Sequence, residues 1–265
     1  MSNIFILLSH ERSGSHLVGE YMGSLQNFRM VDEVCNPNAV RPAMHPESFH
    51  RFKYEFVTRD PSFVMEPSAK RHAEFVSDFF EHLRKPREPN GIAVDIKYGH
   101  VQNFEWWWCP PLVRPFLLNF CQEHDFGIVH LFRENVVEAT VSGMIADKRR
   151  IWHSWQSADN PAAEAPIALP VAEVIRRAQL LERQTNLFKG WTRNNRKLEI
   201  TYEKISPLLD SGAKEDGGIG QFLGSSSKGF KLRHRKVTPP LQNAIENYEE
   251  LRRGCEEAGL GWCLS

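Results

Sequence analysis

Residues 4–22 read IFILLSHERSGSHLVGEYM, and this stretch decides the fold. A short apolar run ends in a polar turn that contains one glycine, Gly14, and an amphipathic run follows. A strand, a glycine-containing turn and a helix form the outline of a phosphate-binding loop, because a helix N-terminus offers unpaired N–H groups to an anion. The Gly-Lys-Ser/Thr of magnesium–ATP loops is absent, which disfavours such a site. An ordinary βα turn with a surface arginine also fits these residues.

The rest of the chain alternates short apolar runs with helical patterns, which predicts an α/β fold with a central, mostly parallel sheet flanked by helices. We predict a single P-loop-type domain over residues 1–265. The predicted strands are 4–9, 92–98, 127–132 and 198–202, and the predicted helices are 15–25, 73–83, 136–146, 171–191 and 241–258. Loops are predicted over 36–67, 147–170 and 210–229.

The bulk composition excludes several classes of protein. Lys+Arg and Asp+Glu are equal at 33 each, so the net charge gives no reason to expect nucleic acid or an anionic membrane as a partner. The five cysteines are scattered without a C-x-x-C pair, which favours a reducing cytoplasm and no zinc site. No run approaches the ~20 residues of a membrane span, and 4–8 is too short for a signal-peptide core.

Two turns carry candidate anion ligands. In the first, Gly14 lets the backbone approach an anion closely, and the neighbouring side chains can donate hydrogen bonds or add charge; these are Arg12, Ser13, Ser15 and His16. In the second, IVHLFRENVVEATVSGMIA, Arg133 follows a predicted strand and a helix carrying Ser142 begins. An arginine at a strand tip beside a helix start is a second anion anchor, although many βα turns carry one.

Taken together and in this order, the two turns resemble the signature regions of sulfotransferases that use 3′-phosphoadenosine 5′-phosphosulfate (PAPS). The resemblance implies that Arg12-Ser13-Gly14-Ser15 holds the 5′-phosphosulfate and that Arg133 and Ser142 hold the 3′-phosphate. The reaction would release adenosine 3′,5′-bisphosphate (PAP) and need no metal. The Val-Ser pair lies one position further from Arg133 than is usual in the family.

Smaller matches extend the resemblance to a bacterial carbohydrate branch, of the trehalose and nodulation-factor type. VDEVCNP (31–37) and IWHSW (151–155) resemble segments of that branch, and EITYEKI (199–205) resembles a family strand ending near the adenine, which implicates Tyr202. RHRKV (233–237) resembles the basic C-terminal segment and adds Arg235 and Lys236 as cofactor ligands. The acceptor implied is a small molecule or glycan with a free hydroxyl.

The resemblance makes Glu33 the base that takes the acceptor proton, and an apolar pocket would raise the pKa of this carboxyl. A surface acid is the alternative. His16 is a second catalytic candidate, as leaving-group stabiliser or substitute base, and His100 follows it. Lys97 in VDIKYGH could assist, but without the resemblance it is read as a surface lysine at a strand end.

Trp106–Trp108 would either stack on a sugar or, as we favour, pack in the core or against a partner chain. Two other functions remain open: a P-loop kinase, which would need magnesium and ATP, and a non-catalytic protein that binds PAP. A homo-oligomer is compatible with the sequence. No H-E-x-x-H motif or Cys/His spacing indicates a metal site.

Overall fold

A computed structural model of the chain describes residues 3–36, 46–66, 68–85, 91–105, 113–151, 165–210, 216–226, 230 and 239–264. Within these ranges the strands are β1 (Ile4–Ser9), β2 (Phe28–Val31), β3 (Gly91–Lys97), β4 (Gly127–Phe132) and β5 (Lys197–Thr201). The helices are α1 (Ser15–Gly23), α2 (Phe49–Arg59), α3 (Ser62–Met65), α4 (Ala69–Arg84), α5 (Phe116–Glu123), α6 (Val136–Arg149), α7 (Val171–Trp191), α8 (Tyr202–Asp210), α9 (Ile219–Leu223), α10 (Leu241–Ala244) and α11 (Tyr248–Glu257). Two 3-10 helices cover Tyr98–Phe104 and Gly261–Leu264.

The five strands form one parallel sheet in the order β2-β3-β1-β4-β5. Strand β1 lies at its centre, with β3 and β4 as neighbours, and leads through the glycine turn into α1. The α/β class, the parallel sheet and the P-loop-type arrangement of the first strand and helix are therefore confirmed. Because all pairs are parallel, every strand ends at the same edge of the sheet, and the turns after β1, β3 and β4 meet there.

Side chains of β1 alternate between two apolar layers, as expected for a strand buried on both faces. Ile4, Ile6 and Leu8 face a layer formed largely by phenylalanines of α2, α4 and α5. Phe5 and Leu7 face the opposite layer, which α1, α8 and α9 cover. A third cluster joins α6, α7 and α11.

Several predicted boundaries differ from the structure. Strand β2 was not predicted, and the expected loop over 36–67 contains α2 and α3. The expected helix over 241–258 is divided into α10 and α11, because Ile245 leaves the helical conformation and bridges to Ile167. The expected loops over 147–170 and 210–229 include the end of α6 and the whole of α9.

Candidate functional site

The turn after β1 has an unusual backbone, in which two residues adopt the left-handed conformation. Arg12 and Gly14 both adopt the left-handed conformation, with φ of 61° and 88°. A Cβ added to Gly14 would lie 2.3 Å from Cδ2 of Tyr202, so any larger residue would also collide with that ring. Glycine is therefore required here both by φ and by the close approach of a second element.

The same turn contains a buried hydroxyl and leads into an uncapped helix. Ser13 is fully buried, and its Oγ has no hydrogen-bond partner within the described ranges. Helix α1 begins at Ser15 without a side-chain cap and without an acidic residue in its first turn. A buried hydroxyl without a partner is costly, so the turn is suited to an anion that accepts hydrogen bonds.

The turn after β4 is built around Arg133, whose side chain is nearly buried. Its Nη2 lies 2.8 Å from Oε1 of Glu138, and its guanidinium lies 4.5 Å from the centre of the Tyr202 ring. Glu203 is 3.7 Å from the Arg133 Nε, which is buried and forms no hydrogen bond in the described part of the chain. These contacts fix the guanidinium plane and leave Nε–H without a hydrogen bond among the described residues.

Unlike α1, helix α6 has a capped N-terminus. The Asn135 side chain accepts from the Glu138 N–H, and the Glu203 carboxylate accepts from the backbone N–H groups of Glu134 and Asn135. At this second turn an anion would therefore be bound by the Arg133 side chain rather than by the helix end.

The two turns are in direct contact. Both Nε and Nη2 of Arg12 donate to Oγ of Ser142 at 3.1 Å, across the edge of the sheet. The backbone N–H of Arg133 donates to Nε2 of His10 at 3.0 Å, while Nδ1–H of His10 donates to the Glu11 carbonyl. Burial lowers the pKa of His10 to about 4, which keeps the imidazole neutral and able to accept from Arg133.

Lys97, at the end of β3, completes this edge, and the interpretation of it as a surface lysine is wrong. Only 5% of its side chain is exposed. Its Nζ lies 2.9 and 2.7 Å from the two carboxylate oxygens of Asp95 and donates to Oγ of Ser15. Lys97 thus brings a buried positive charge to the first residue of α1, where the turn itself has no lysine.

Glu33 lies at this edge, after β2, and its Oε1 is 3.8 Å from the Lys97 Nζ. The expectation of a raised pKa is wrong. Burial alone would raise the pKa of Glu33, but Lys97, a 2.6 Å hydrogen bond from Asn36 and the nearby His16 and His100 together lower it below its usual value. The carboxylate is thus held ionised, ready to accept a proton.

Two histidines flank Glu33. Nε2 of His16 is 3.9 Å from Glu33, and its Nδ1 is 3.7 Å from Asp32, with a third of the side chain exposed. Burial lowers the pKa of His100, opposed by the charge of Glu33. Both histidines therefore lie at the same edge of the sheet as Glu33.

Most of the predicted site residues thus meet at one edge; they are Arg12, Ser13, Gly14, Ser15, His16, Glu33, Arg133, Ser142 and Tyr202. Tyr202 begins α8 rather than ending a strand, and its ring lies between Gly14 and Arg133. Arg235, Lys236 and Trp106–Trp108 lie outside the described residues.

Sequence analysis missed Asp95, Glu138 and Glu203, whose carboxylates hold Lys97 and Arg133. The sequence contains a signal for Asp95, because side chains two positions apart on a strand lie on the same face of the sheet, which places this acid beside Lys97. Among the described residues, no group of three or more His, Cys, Asp and Glu side chains could hold a metal ion. None of the described helices is long and apolar enough to cross a membrane.

The fold and this edge define an α/β protein in which the turns after β1 and β4 are joined by the contact of Arg12 with Ser142. No protein-family model matches the chain, and no curated protein matches it. Among solved structures, the chain is similar to a crystal structure of a sulfotransferase from Alicyclobacillus acidocaldarius, with 13% sequence identity and a TM-score of 0.46. That alignment covers 100% of this chain and 96% of the other.

Proposed function

We propose that this protein is a sulfotransferase, with a domain over 1–265 that moves a sulfuryl group from PAPS to an acceptor hydroxyl and releases PAP. The observation that carries the proposal is the contact between the two anion-binding turns, in which Arg12 donates to Ser142. One ligand with phosphate groups at both ends, such as PAPS, would contact both turns together.

The groups at the first turn fit the phosphosulfate end of PAPS. The uncapped N-terminus of α1 and the Ser13 hydroxyl offer hydrogen-bond donors at one place, and the Lys97 ammonium, which donates to Ser15, adds positive charge beside them. Such donors favour an anionic oxygen and stabilise charge that develops on a leaving phosphate. Bound there, PAPS supplies an electrophilic sulfur with a good leaving group.

The groups at the second turn fit the 3′-phosphate. Arg133 is oriented by Glu138 and by the Tyr202 ring, so its guanidinium needs little further ordering to bind an anion. Ser142 contributes a hydroxyl that is in contact with Arg12 of the first turn. We assign the segment with Arg235 and Lys236 to the same cofactor on the strength of its resemblance alone.

Glu33 would accept the proton of the acceptor hydroxyl, with His16 positioned beside it. Its distances to Lys97 and His16, 3.8 and 3.9 Å, place it next to the first turn. A carbohydrate or glycolipid acceptor is the proposal, from the resemblance to the carbohydrate branch. The protein would act in the cytoplasm; its four described cysteines are all free and buried, which supports a reducing compartment.

The test is transfer of labelled sulfate from PAPS to a panel of glycans, with a titration of PAP against ATP plus magnesium in a thermal-shift assay. PAP should stabilise the fold more than ATP, adding roughly 2.7 kcal/mol at a hundred times its dissociation constant. Greater stabilisation by ATP with magnesium would favour a kinase. PAP binding without transfer would favour a non-catalytic protein.

Arg133→Ala should weaken PAP binding roughly tenfold to a hundredfold, because a hydrogen bond to a charged group contributes about 1.5–3 kcal/mol. The variant should also lose discrimination between PAPS and adenosine 5′-phosphosulfate. Arg84→Ala is the matched control. Arg84 also pairs with a glutamate, Glu81 at 3.1 Å, but it lies near Ile4 at the start of β1, at the opposite end of this strand from the proposed site. Equal PAP affinity in wild type and Arg133→Ala would remove Arg133 from the site.

A further inference from the structure

A buried ion pair lies beneath the first turn, on the face of β3 that α1 covers. Asp95 and Lys97 are two positions apart, so their side chains point to the same side of the strand. The Asp95 side chain is fully buried, and both of its oxygens contact the Lys97 Nζ, at 2.9 and 2.7 Å. Strand β1 lies alongside, with Leu7 opposite Asp95 and Ser9 opposite Lys97.

The other contacts of Lys97 all point toward the anion-binding turn. Its ammonium donates to Ser15 at the start of α1 and to Oγ of Ser9 at 3.3 Å, and it lies 3.8 Å from Glu33. One charge therefore links the first residue of α1 to the proposed base. Within the described residues, Asp95 forms its hydrogen bonds with Lys97 and none with the turn itself.

A lysine side chain has four rotatable bonds, and its ammonium is a point charge without a preferred direction. Something must hold it in one place if it is to act at a defined atom. A bidentate contact from a carboxylate fixed in the middle of a sheet does this, and it also compensates the cost of burying the charge.

We propose that Asp95 is a positioning residue for the transfer reaction. It holds the Lys97 ammonium against Ser15, at the place where the phosphosulfate is proposed to bind, and beside Glu33. Asp95 acts through Lys97 and does not touch the substrate. The inference rests on the proposed function, and the experiment below separates failure of the one from failure of the other.

The experiment compares kcat and the KM for the acceptor in wild type, Asp95→Asn, Lys97→Met and the double variant, all measured well below their melting temperatures. Asp95→Asn should lower kcat about 10- to 100-fold, with the acceptor KM within about twofold of wild type. In the Lys97→Met background, adding Asp95→Asn should change kcat less than about twofold, because the group through which Asp95 acts is gone.

Glu199→Gln is the matched control, because Glu199 also pairs with a lysine two positions away on a strand, Lys197 at 2.7 Å, but on β5 and with greater exposure. It should keep the wild-type kcat. A purely structural Asp95 would instead give a less stable protein whose kcat is unchanged while it remains folded, and that result overturns the proposal.

If Asp95→Asn does not fold, the comparison of Lys97→Met with the double variant still decides. Equal kcat values support the proposal, and a further tenfold loss in the double variant overturns it. If wild type transfers no sulfuryl group from PAPS, the proposed function fails and this inference fails with it. If wild type is active and Asp95→Asn keeps its kcat, only the inference fails.

Discussion

At the scale of single residues, the ionisation of Glu33 depends on its neighbours more than on its burial. Burial alone would raise the pKa of this carboxyl, and Lys97, Asn36 and the adjacent histidines reverse the direction. A base held ionised in this way needs no pKa near neutrality to be available at pH 7, although a low pKa lowers its intrinsic basicity. The positive charge of Lys97 is thus the main control on Glu33.

Glu33→Gln keeps the shape of the side chain and removes the base, so kcat should fall by roughly 10²–10⁴-fold while PAP affinity changes little. In wild type the acid limb of kcat/KM should lie below pH 4.5, the ordinary value for a glutamate, because the pKa of Glu33 is lowered. Initial rates across pH, beside a PAP titration, measure both. Loss of PAP binding in the variant would make Glu33 a structural part of the nucleotide site.

Lys97→Met should move that acid limb to higher pH. The variant removes the strongest influence that lowers the pKa of Glu33 and leaves burial, which raises it. The pH profile of kcat/KM keeps its shape even where kcat is reduced, so the pH of its acid limb can still be measured. An acid limb at the same pH in both proteins would show that Glu33 is not the titrating group.

The residues whose position in the fold sequence analysis predicted are those whose neighbours in the chain define their surroundings. Ser13, Gly14 and Ser15 form one turn, and their positions follow from the strand and helix on either side. Lys97 was misjudged because its burial depends on Asp95 and on Glu33, which follows a different strand, β2. The direction of the Glu33 pKa could not be predicted for the same reason, since its main cause lies across the sheet.

At the scale of elements, four of the five strands were predictable, including the edge strand β5, and the other edge strand, β2, was not. Strands β1 and β4 are continuous apolar runs, and both predicted spans match the structure. Strand β2 has only four residues and includes Arg29, and it pairs on one side only, with β3. A short, half-polar edge strand has no periodicity long enough to detect.

Helix α2 lies in an expected loop, although Phe49, Phe52 and Phe56 have the i, i+3, i+7 spacing of an amphipathic helix, a signal that sequence analysis missed. In the structure Phe49 is buried, and its ring lies 4.4 to 5.7 Å from those of Phe75, Phe79 and Phe104. Tertiary contacts between rings, rather than the local pattern, therefore hold this helix on the sheet.

Phe49→Ala should lower the free energy of unfolding by about 3–5 kcal/mol, because the deletion leaves a cavity among fully buried rings. Tyr54→Ala on the same helix should change it by no more than about 0.5 kcal/mol, since that side chain is 66% exposed. Urea unfolding of both variants measures the difference. Similar small losses in the two variants would mean that α2 is not packed as described.

At the scale of the whole molecule, buried neutral histidines connect the site to global stability. Burial lowers the pKa of His10 to about 4 from an ordinary 6.5, so the unfolded chain binds this proton more readily than the folded one. Stability should therefore fall as pH drops from 6.5 toward 4, by about 3 kcal/mol from this group, and its contribution should then level off.

His10→Gln removes the titrating ring and keeps an oxygen that can accept from the Arg133 N–H. Its stability should depend less steeply on pH between 6.5 and 4 than that of wild type. Some slope should remain, because burial also lowers the pKa of His130 to about 4. Urea unfolding at pH 7 and pH 4.5 tests this, and equal losses in both proteins would contradict it.

The central position of β1 has a consequence for the synthesis of the chain. Strand β1 ends at Ser9, but its neighbours β3 and β4 end at Lys97 and Phe132. A ribosome adding about 5–20 residues per second would leave the first strand unpaired for roughly 4–18 seconds, until β3 has been synthesised. During that interval the uncharged segment IFILL is exposed on the nascent chain. Because such a segment promotes aggregation until its partners arrive, a chaperone at the ribosome exit should protect this strand.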